Sequence, residues 1–486
     1  MVTTYSPDRS PSSSEMALST TAPSTYTIYT SSLFSPHSLS FHSDIALTVS
    51  TSTGLITKVE EHSLTMSGAV ESPDIDLRGL AVLPGFVDAH THIFLHDYAE
   101  ASSLNQMRDE SLVERTLRAA NHCRAALKAG YTTYRDLGTE GAYDADVGVR
   151  DAVNRGIIPG PRLFVATEAL ASSGSYAVRY ESRLNGTTVP RISDPCDGVE
   201  GVMAGVRRRI GAGADLIKFY GEYRRRTLRF PPPAYPGGLP ILNPPLPCPE
   251  RPLYVPANPS STMWSQAEMD AMVLEAGRAG APIAAHCTEP ETVIMAAKAG
   301  VTTIEHGYIP SDSALDAMRE VSPVPRSPLP RHNTHSYATS SDAVLWQARV
   351  IWIPTLAVVD QNRSSYPPSA FQSILKHVHS GYTKGVRLAA GGDTGAFDHG
   401  ENARELELMV EAGIPIPNVL RAGTLGGWEA CGAELCGRNF GALEVGWSAD
   451  LVALHGDPME DFGAVRRVRW VIKDGRVLVR EERLVD

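Results

Sequence analysis

From Tyr26 to Leu80 the chain sets short apolar runs between turn residues. Tyr26–Tyr29, Ile45–Val49, Leu55–Val59 and Ile75–Leu77 read as strands, separated by signals such as Ser-Pro and Thr-Gly. A matching set recurs near the other end: Leu451–Leu454, Val468–Lys473 and Arg476–Val479, with Asp474-Gly475 as a hairpin turn. Two all-β fragments at opposite ends predict one small β-sandwich domain built from residues 25–80 and 440–486.

Residues 81–439 follow a different rhythm. Apolar runs of strand length alternate with helical spacing, the sign of parallel βα units. The predicted strands are Leu80–Val87, Tyr131–Leu137, Arg162–Ala166, Leu216–Tyr220, Pro282–His286, Thr302–Glu305, Val350–Val359 and Val386–Ala390. Helical patterns lie between and after them, as in Ser111–Ala129, Val199–Ala212 and Ser265–Ala279, where Ser265 and Glu268 form a capping box. Eight such strands predict an α/β fold, a (β/α)8 TIM barrel.

Three stretches stand outside this pattern. Residues 1–24 are rich in Ser, Thr and Pro and predict a disordered tail. Residues 224–262 are dense in proline and leave the fourth strand, on the face where barrels carry their chemistry. They read as a lid or substrate-facing wall, or else as a flexible surface insertion. Residues 321–341 leave the sixth helix and fall on the opposite face.

Composition narrows the function. At 486 residues and 42% hydrophobic content the chain has enough apolar material for a large core. A net charge of −11 excludes a nucleic-acid binder, which carries a basic footprint. No apolar run is long enough for a membrane span, and no secretory signal is visible. The six cysteines are scattered, without a Cys-x-x-Cys pair, and read as reduced thiols of a cytoplasmic protein.

The candidate chemistry starts at Leu83-Pro-Gly-Phe-Val-Asp-Ala-His-Thr-His92. Residues two apart on a strand point to one side, so His90 and His92 aim two imidazoles at one place, as a divalent metal needs. Other polar groups fall at the ends of later strands: Lys218, His286, His306 and Asp393. Such groups collect at the C-terminal end of a barrel.

These segments carry a resemblance. The chain resembles the amidohydrolase superfamily, within it the imidazolonepropionase-like group of prolidases, carboxypeptidases and the fungal ochratoxin-hydrolysing amidase. The carrying motifs are the His90/His92 segment, Thr132-Thr-Tyr-Arg-Asp-Leu-Gly138, Asp215-Leu-Ile-Lys218, Ala285-His286, Ile304-Glu-His-Gly307, Ile353-Pro-Thr-Leu356, Gly392-Asp-Thr394 and Asn402-Ala-Arg-Glu-Leu406. The tail motifs Gly446-Trp-Ser-Ala-Asp-Leu-Val452 and Val471-Ile-Lys-Asp-Gly475 extend the likeness to the small sheets.

The resemblance implies two divalent metal ions, with zinc suited to the donors and manganese, cobalt or iron also compatible. It implies that His90, His92 and Asp393 hold one ion, that His286 and His306 hold the other, and that Lys218, as N6-carboxylysine, bridges them. Asp393 would be general base and acid in hydrolysis of an amide or peptide-type C–N bond of a small molecule.

Two departures are visible. His286-Cys-Thr-Glu289 is similar to a segment of mononuclear relatives, and Ala171-Ser-Ser-Gly-Ser-Tyr176 stands where members of the group often carry a Gly-Gly-His type of loop. Tyr220, Arg135, His399 and Glu289 are candidate substrate-binding groups. A mononuclear deaminase, a hydrolase of cyclic amides, imidazolones or lactones, and a non-catalytic relative stay as alternatives. Homo-oligomerisation stays open.

Overall fold

The computed structural model describes residues 23–62, 70–175, 179–180, 188–223, 262–320, 350–365 and 367–485. The expected 1–24 tail (save Pro23 and Ser24), the 224–262 insertion (save Thr262), the 321–341 stretch and Cys248 lie outside the described residues.

The β fragments from the two chain ends share a sheet. Its seven strands run in the order Arg483–Leu484, Arg476–Arg480, Val468–Lys473, Leu451–Leu454, Ala81–Pro84, Leu33–Ser35 and Ser40–His42. Beside it lies a four-stranded sheet ordered Ile56–Glu61, Ile45–Ser50, Thr25–Thr30 and Ile75–Asp76. Ile28, Leu47 and Val49 of the smaller sheet and Val82, Leu451 and Ile472 of the larger pack into one apolar cluster. Asp474 and Gly475 have φ +49° and +70°, the paired positive values of a tight hairpin turn.

The single strand expected over Leu80–Val87 is two strands. Ala81–Pro84 belongs to the small sheet, and Phe86–Thr91 belongs to a parallel array. Gly85 makes the transfer. Its N–H donates to the Asp450 carbonyl at 2.9 Å, and a Cβ there would lie 2.3 Å from Thr132 Oγ1. The handover from sheet to sheet therefore falls after residue 80.

The middle of the chain forms a TIM-barrel-like arrangement of parallel strands. Phe86–Thr91, Tyr131–Asp136 and Arg162–Val165 make a three-stranded sheet. Ser193–Pro195, Ala169–Ala171, Ile217–Tyr220, Ile283–Cys287, Thr303–His306, Ile351–Ile353 and Arg387–Leu388 make a seven-stranded one. Hydrogen bonds run between the two sheets at both flanks. Ala89 N–H donates to the Ala390 carbonyl at 3.0 Å, and Asp215 N–H to the Val165 carbonyl at 2.8 Å. Helices such as Leu112–Lys128 and Gln266–Arg278 alternate with the strands; the latter carries the expected Ser265/Glu268 capping box.

The expected strand over Val350–Val359 is shorter. Only Ile351–Ile353 is extended, and Leu356–Gln361 is a helix. Pro354 has no N–H to continue a ladder, and Thr355 at φ +47° turns the chain into the helix. The short helices Ser103–Asp109 and Leu425–Ala430 and the strand Ala169–Ala171 were not anticipated from the pattern.

Candidate metal centre

Parallel register places the polar strand ends side by side. Tyr220 pairs with His286, and Cys287 with His306. The ring centroids of His90 and His92 are 5.4 Å apart, those of His90 and His306 5.0 Å, and those of His286 and His306 4.4 Å. Asp393 Oδ1 lies 3.2 Å from His92 Nε2 and 3.4 Å from His90 Nε2. His90, His306 and Asp393 each offer a ligand atom within 4.8 Å of the others. This trio draws on both sets of ligands expected from the sequence, so the structure brings the two sets into one cluster.

The far side of each ring fixes what the near side presents. His92 Nδ1 donates to the Gly138 carbonyl at 2.7 Å. His90 Nδ1 meets Glu305 Oε2 at 2.8 Å, and His306 Nδ1 meets Thr355 Oγ1 at 2.9 Å. Where Nδ1–H of a neutral ring is bonded to an acceptor such as the Glu305 carboxylate or the Gly138 carbonyl, Nε2 is left with a lone pair for the centre, the usual outer support of a metal-ligating histidine. The donor set thus fits a divalent ion. His306 and Asp393 have φ +71° and +62°. Left-handed backbone costs a non-glycine residue energy and persists where the surroundings hold it.

Asp88 fastens the first strand to the Asp393 loop. Its Oδ1 accepts from His90 N–H at 3.0 Å and Gly392 N–H at 3.3 Å. Its Oδ2 accepts from the Thr394 hydroxyl at 2.7 Å and the Asn402 amide at 2.6 Å. These bonds account for the Asp88, Thr394 and Asn402 positions of the sequence motifs.

Electrostatics follow from the crowding. Burial, and then the Lys218 ammonium, brings His90 down to about 4. Burial also holds His286 and His306 well below the usual histidine value. Burial opposes charge on His92 too, but its bond to Asp393 and the charge of that carboxylate raise it to about 9. Burial would raise Asp393; His90, His92 and His306 more than offset this and hold it well below the carboxylate range. Lys218 is 2% exposed, and burial lowers its ammonium pKa.

The amidohydrolase family model matches residues 81–226 and 253–478. The chain belongs to the amidohydrolase family. That family is generally metal-dependent, in keeping with the His/Asp cluster. Ochratoxinase of Aspergillus niger is 25% identical over 418 residues, covering 82% of this chain and 75% of the relative. A solved Xaa-Pro dipeptidase with methionine bound in its active site is 26% identical, with a TM-score of 0.68 over 93% of this chain and 99% of that one. Solved A. niger ochratoxinase gives a TM-score of 0.70 over 94% of this chain and 96% of that one; at 22% identity this is a likeness of fold.

The candidate substrate groups of this amidohydrolase separate in the structure. Arg135 is 0% exposed. It donates to the Ala89 and Ala430 carbonyls, to Thr303 Oγ1 and, at 2.6 Å, to Glu305 Oε1. An inward arginine of a barrel strand here supports Glu305, which in turn holds His90. His399 is likewise structural: its Nε2 bonds the Leu95 carbonyl at 3.1 Å, and its ring stacks on His122 at 4.1 Å. Glu289 is the N-cap residue of the helix Pro290–Ala299, and its N–H donates to Glu222 Oε1 at 3.1 Å. No bond joins it to the imidazole cluster. Tyr220 does reach the site. Its ring centroid is 5.7 Å from that of His286, and its hydroxyl donates to Glu140 Oε1 at 2.6 Å.

Sequence reasoning missed Glu305, Glu140 and Tyr223, whose ring stacks on His286 at 4.7 Å. Glu305 had a signal, since it is an acid inside an apolar strand and adjoins a candidate ligand. Glu140 had none, because its position comes from loop geometry.

Proposed function

We propose that this amidohydrolase cleaves an amide or peptide-type C–N bond of a small acyl-amino acid or dipeptide-like substrate. The observation that carries the reading is the convergence of four imidazoles and Asp393 around the buried Lys218. The names of the ochratoxinase and Xaa-Pro dipeptidase relatives support the same bond class.

In this reading His90, His92 and Asp393 would hold one divalent ion and His286 and His306 another, and carboxylated Lys218 would supply a further oxygen donor. Zinc suits these nitrogen and carboxylate donors. When bound, such ions lower the pKa of water and polarise a carbonyl. Asp393 accepts the proton of the attacking water and passes it to the leaving nitrogen, so that an amine departs. The Nδ1 bonds of His90, His92 and His306 keep the rings oriented throughout.

The reading also includes a closed eight-stranded barrel that begins after Gly85 and runs to about residue 439, supported by the hydrogen bonds at both flanks of the parallel sheets. Residues 25–84 and 440–486 are its β-sandwich companion in this reading. A cytoplasmic location is supported by the free thiols of Cys123, Cys196, Cys287, Cys431 and Cys436. Among the described residues, no helix is long and apolar enough to cross a membrane.

The His90, His306 and Asp393 trio also fits a single ion, the requirement of a mononuclear deaminase or cyclic-amide hydrolase. The deciding experiment is a hydrolysis screen of zinc-loaded protein against Xaa-Pro dipeptides, N-acyl amino acids, aryl amides, lactones and aminated heterocycles, with metal content measured in parallel. Turnover of acyl-amino-acid bonds at two metals per chain, lost in Lys218→Ala, supports the proposal. Ammonia release from a heterocycle at one metal, retained in Lys218→Ala, replaces it with the mononuclear reading.

A further inference from the structure

The loop after the strand Tyr131–Asp136 brings a buried acid to the edge of the metal centre. Glu140 is 7% exposed and has φ +48°, left-handed backbone that costs a non-glycine residue energy. Arg115 enforces it, donating to the Thr139 carbonyl at 3.2 Å and the Glu140 carbonyl at 2.9 Å. Glu140 Oε1 takes the Tyr220 hydroxyl. Its Oε2 makes no hydrogen bond to any described residue.

The surroundings tie this carboxylate to the site. Tyr220 is on the strand of Lys218 and beside His286. His92 bonds Gly138, two residues before Glu140. Oε2 is not among the fully buried side-chain atoms left without a partner, so it stays within reach of a cation or donor that enters the site. Arg115 supplies a nearby positive charge to Glu140 but directs the hydrogen bonds of its Nε and one terminal nitrogen to backbone carbonyls.

We propose that Glu140, held by Tyr220, is the subsite for a protonated amino group of the substrate. An unblocked dipeptide carries such a group one carbon away from its scissile carbonyl. The inference rests on the hydrolase reading and narrows it to amine-bearing substrates.

The test compares L-alanyl-L-proline with N-acetyl-L-alanyl-L-proline on zinc-loaded wild type, Glu140→Gln and Tyr220→Phe, each first checked for folding by its melting temperature. Wild type should favour the free amine in kcat/KM by about tenfold to a hundredfold, the scale of a hydrogen bond to a charged group. Glu140→Gln should bring that ratio close to one, mainly through KM. Tyr220→Phe keeps the carboxylate and should keep most of the preference. Equal use of both peptides by the wild type, or an unchanged ratio in Glu140→Gln, overturns the subsite and leaves the hydrolase reading intact. If neither peptide is turned over, calorimetry of the wild type with L-alaninamide and N-acetyl-L-alaninamide decides, and equal binding of the two overturns the proposal. If Glu140→Gln does not fold, the wild-type preference decides.

Discussion

Glu305 joins His90 to Arg135: its Oε2 lies 2.8 Å from His90 Nδ1 and its Oε1 2.6 Å from an Arg135 terminal nitrogen. All three side chains are buried. Burial works against the Glu305 charge, but Arg135 and His90 hold its pKa down to about 2. Glu305→Gln weakens the anchor of His90, and zinc affinity should fall by about 10–100-fold, as for other outer-shell losses. Competition with a chromogenic chelator measures it; affinity within twofold of wild type would remove Glu305 from the support of His90.

Arg135→Met leaves the Glu305 carboxylate buried and without its guanidinium. The expected destabilisation is about 3–5 kcal/mol, the cost of an uncompensated buried charge. Arg135→Met with Glu305→Leu should recover most of it, because both charges are then gone. Urea unfolding of the metal-free proteins gives the comparison. An additive double variant would deny the coupling.

Asp393→Asn keeps size and loses the proton acceptor. In the proposed mechanism kcat falls by about 10²–10⁴-fold, the usual contribution of a general acid–base group. Steady-state kinetics with metal content matched to wild type separates this from simple loss of the ion.

Glu405 is buried, and its Oε2 accepts from Ala357 N–H at 2.8 Å. Burial raises its pKa to about 8. The folded state then holds a proton that the unfolded state releases above its own ordinary carboxylate pKa. The stabilising contribution is complete below that lower value and fades as pH rises towards 8. Glu405→Gln, neutral at every pH, should lack this slope. The stability of wild type relative to the variant should therefore fall between pH 5 and pH 8, by at most about 1.4 kcal/mol per pH unit. A difference that is flat or rises with pH contradicts the assignment.

Gly85→Ala puts a methyl group 2.3 Å from Thr132 Oγ1. The expected destabilisation is about 1–3 kcal/mol, typical of overpacking. Thr132→Ala in the same chain should recover part of it, since the Oγ1 and Cγ2 atoms that crowd the new methyl are removed. Thermal melts of the two single variants and the double variant test the contact.

Much of this architecture was legible in the sequence. His90 and His92 lie two apart on an extended strand, His286 and His306 lie at the ends of later strands, Lys218 lies near the end of another and Asp393 follows the last, so strand pattern together with the barrel rule for polar strand ends pointed to one end of the fold. Arg135 was misread because periodicity places a residue on a face and does not say whether that face meets solvent or the barrel interior. The long Leu80–Val87 run hid a change of sheet, because both halves are apolar and only Gly85, through its closeness to Thr132, marks the transfer. Val350–Val359 misled for a related reason: apolar residues beyond Pro354 serve a helix as well as a strand. Glu140 depends on a loop held by Arg115, a contact between segments that no local pattern encodes.

The pairing of Ala81–Pro84 with Leu451–Leu454 bears on how the protein is made. At about 5–20 residues per second, the ribosome needs on the order of tens of seconds after finishing the first strand to deliver the second. Through that interval the early strand has one open edge. The nascent chain must therefore keep it from the edges of neighbouring polypeptides, and chaperone demand should concentrate on the N-terminal strands until the last part of the message is translated.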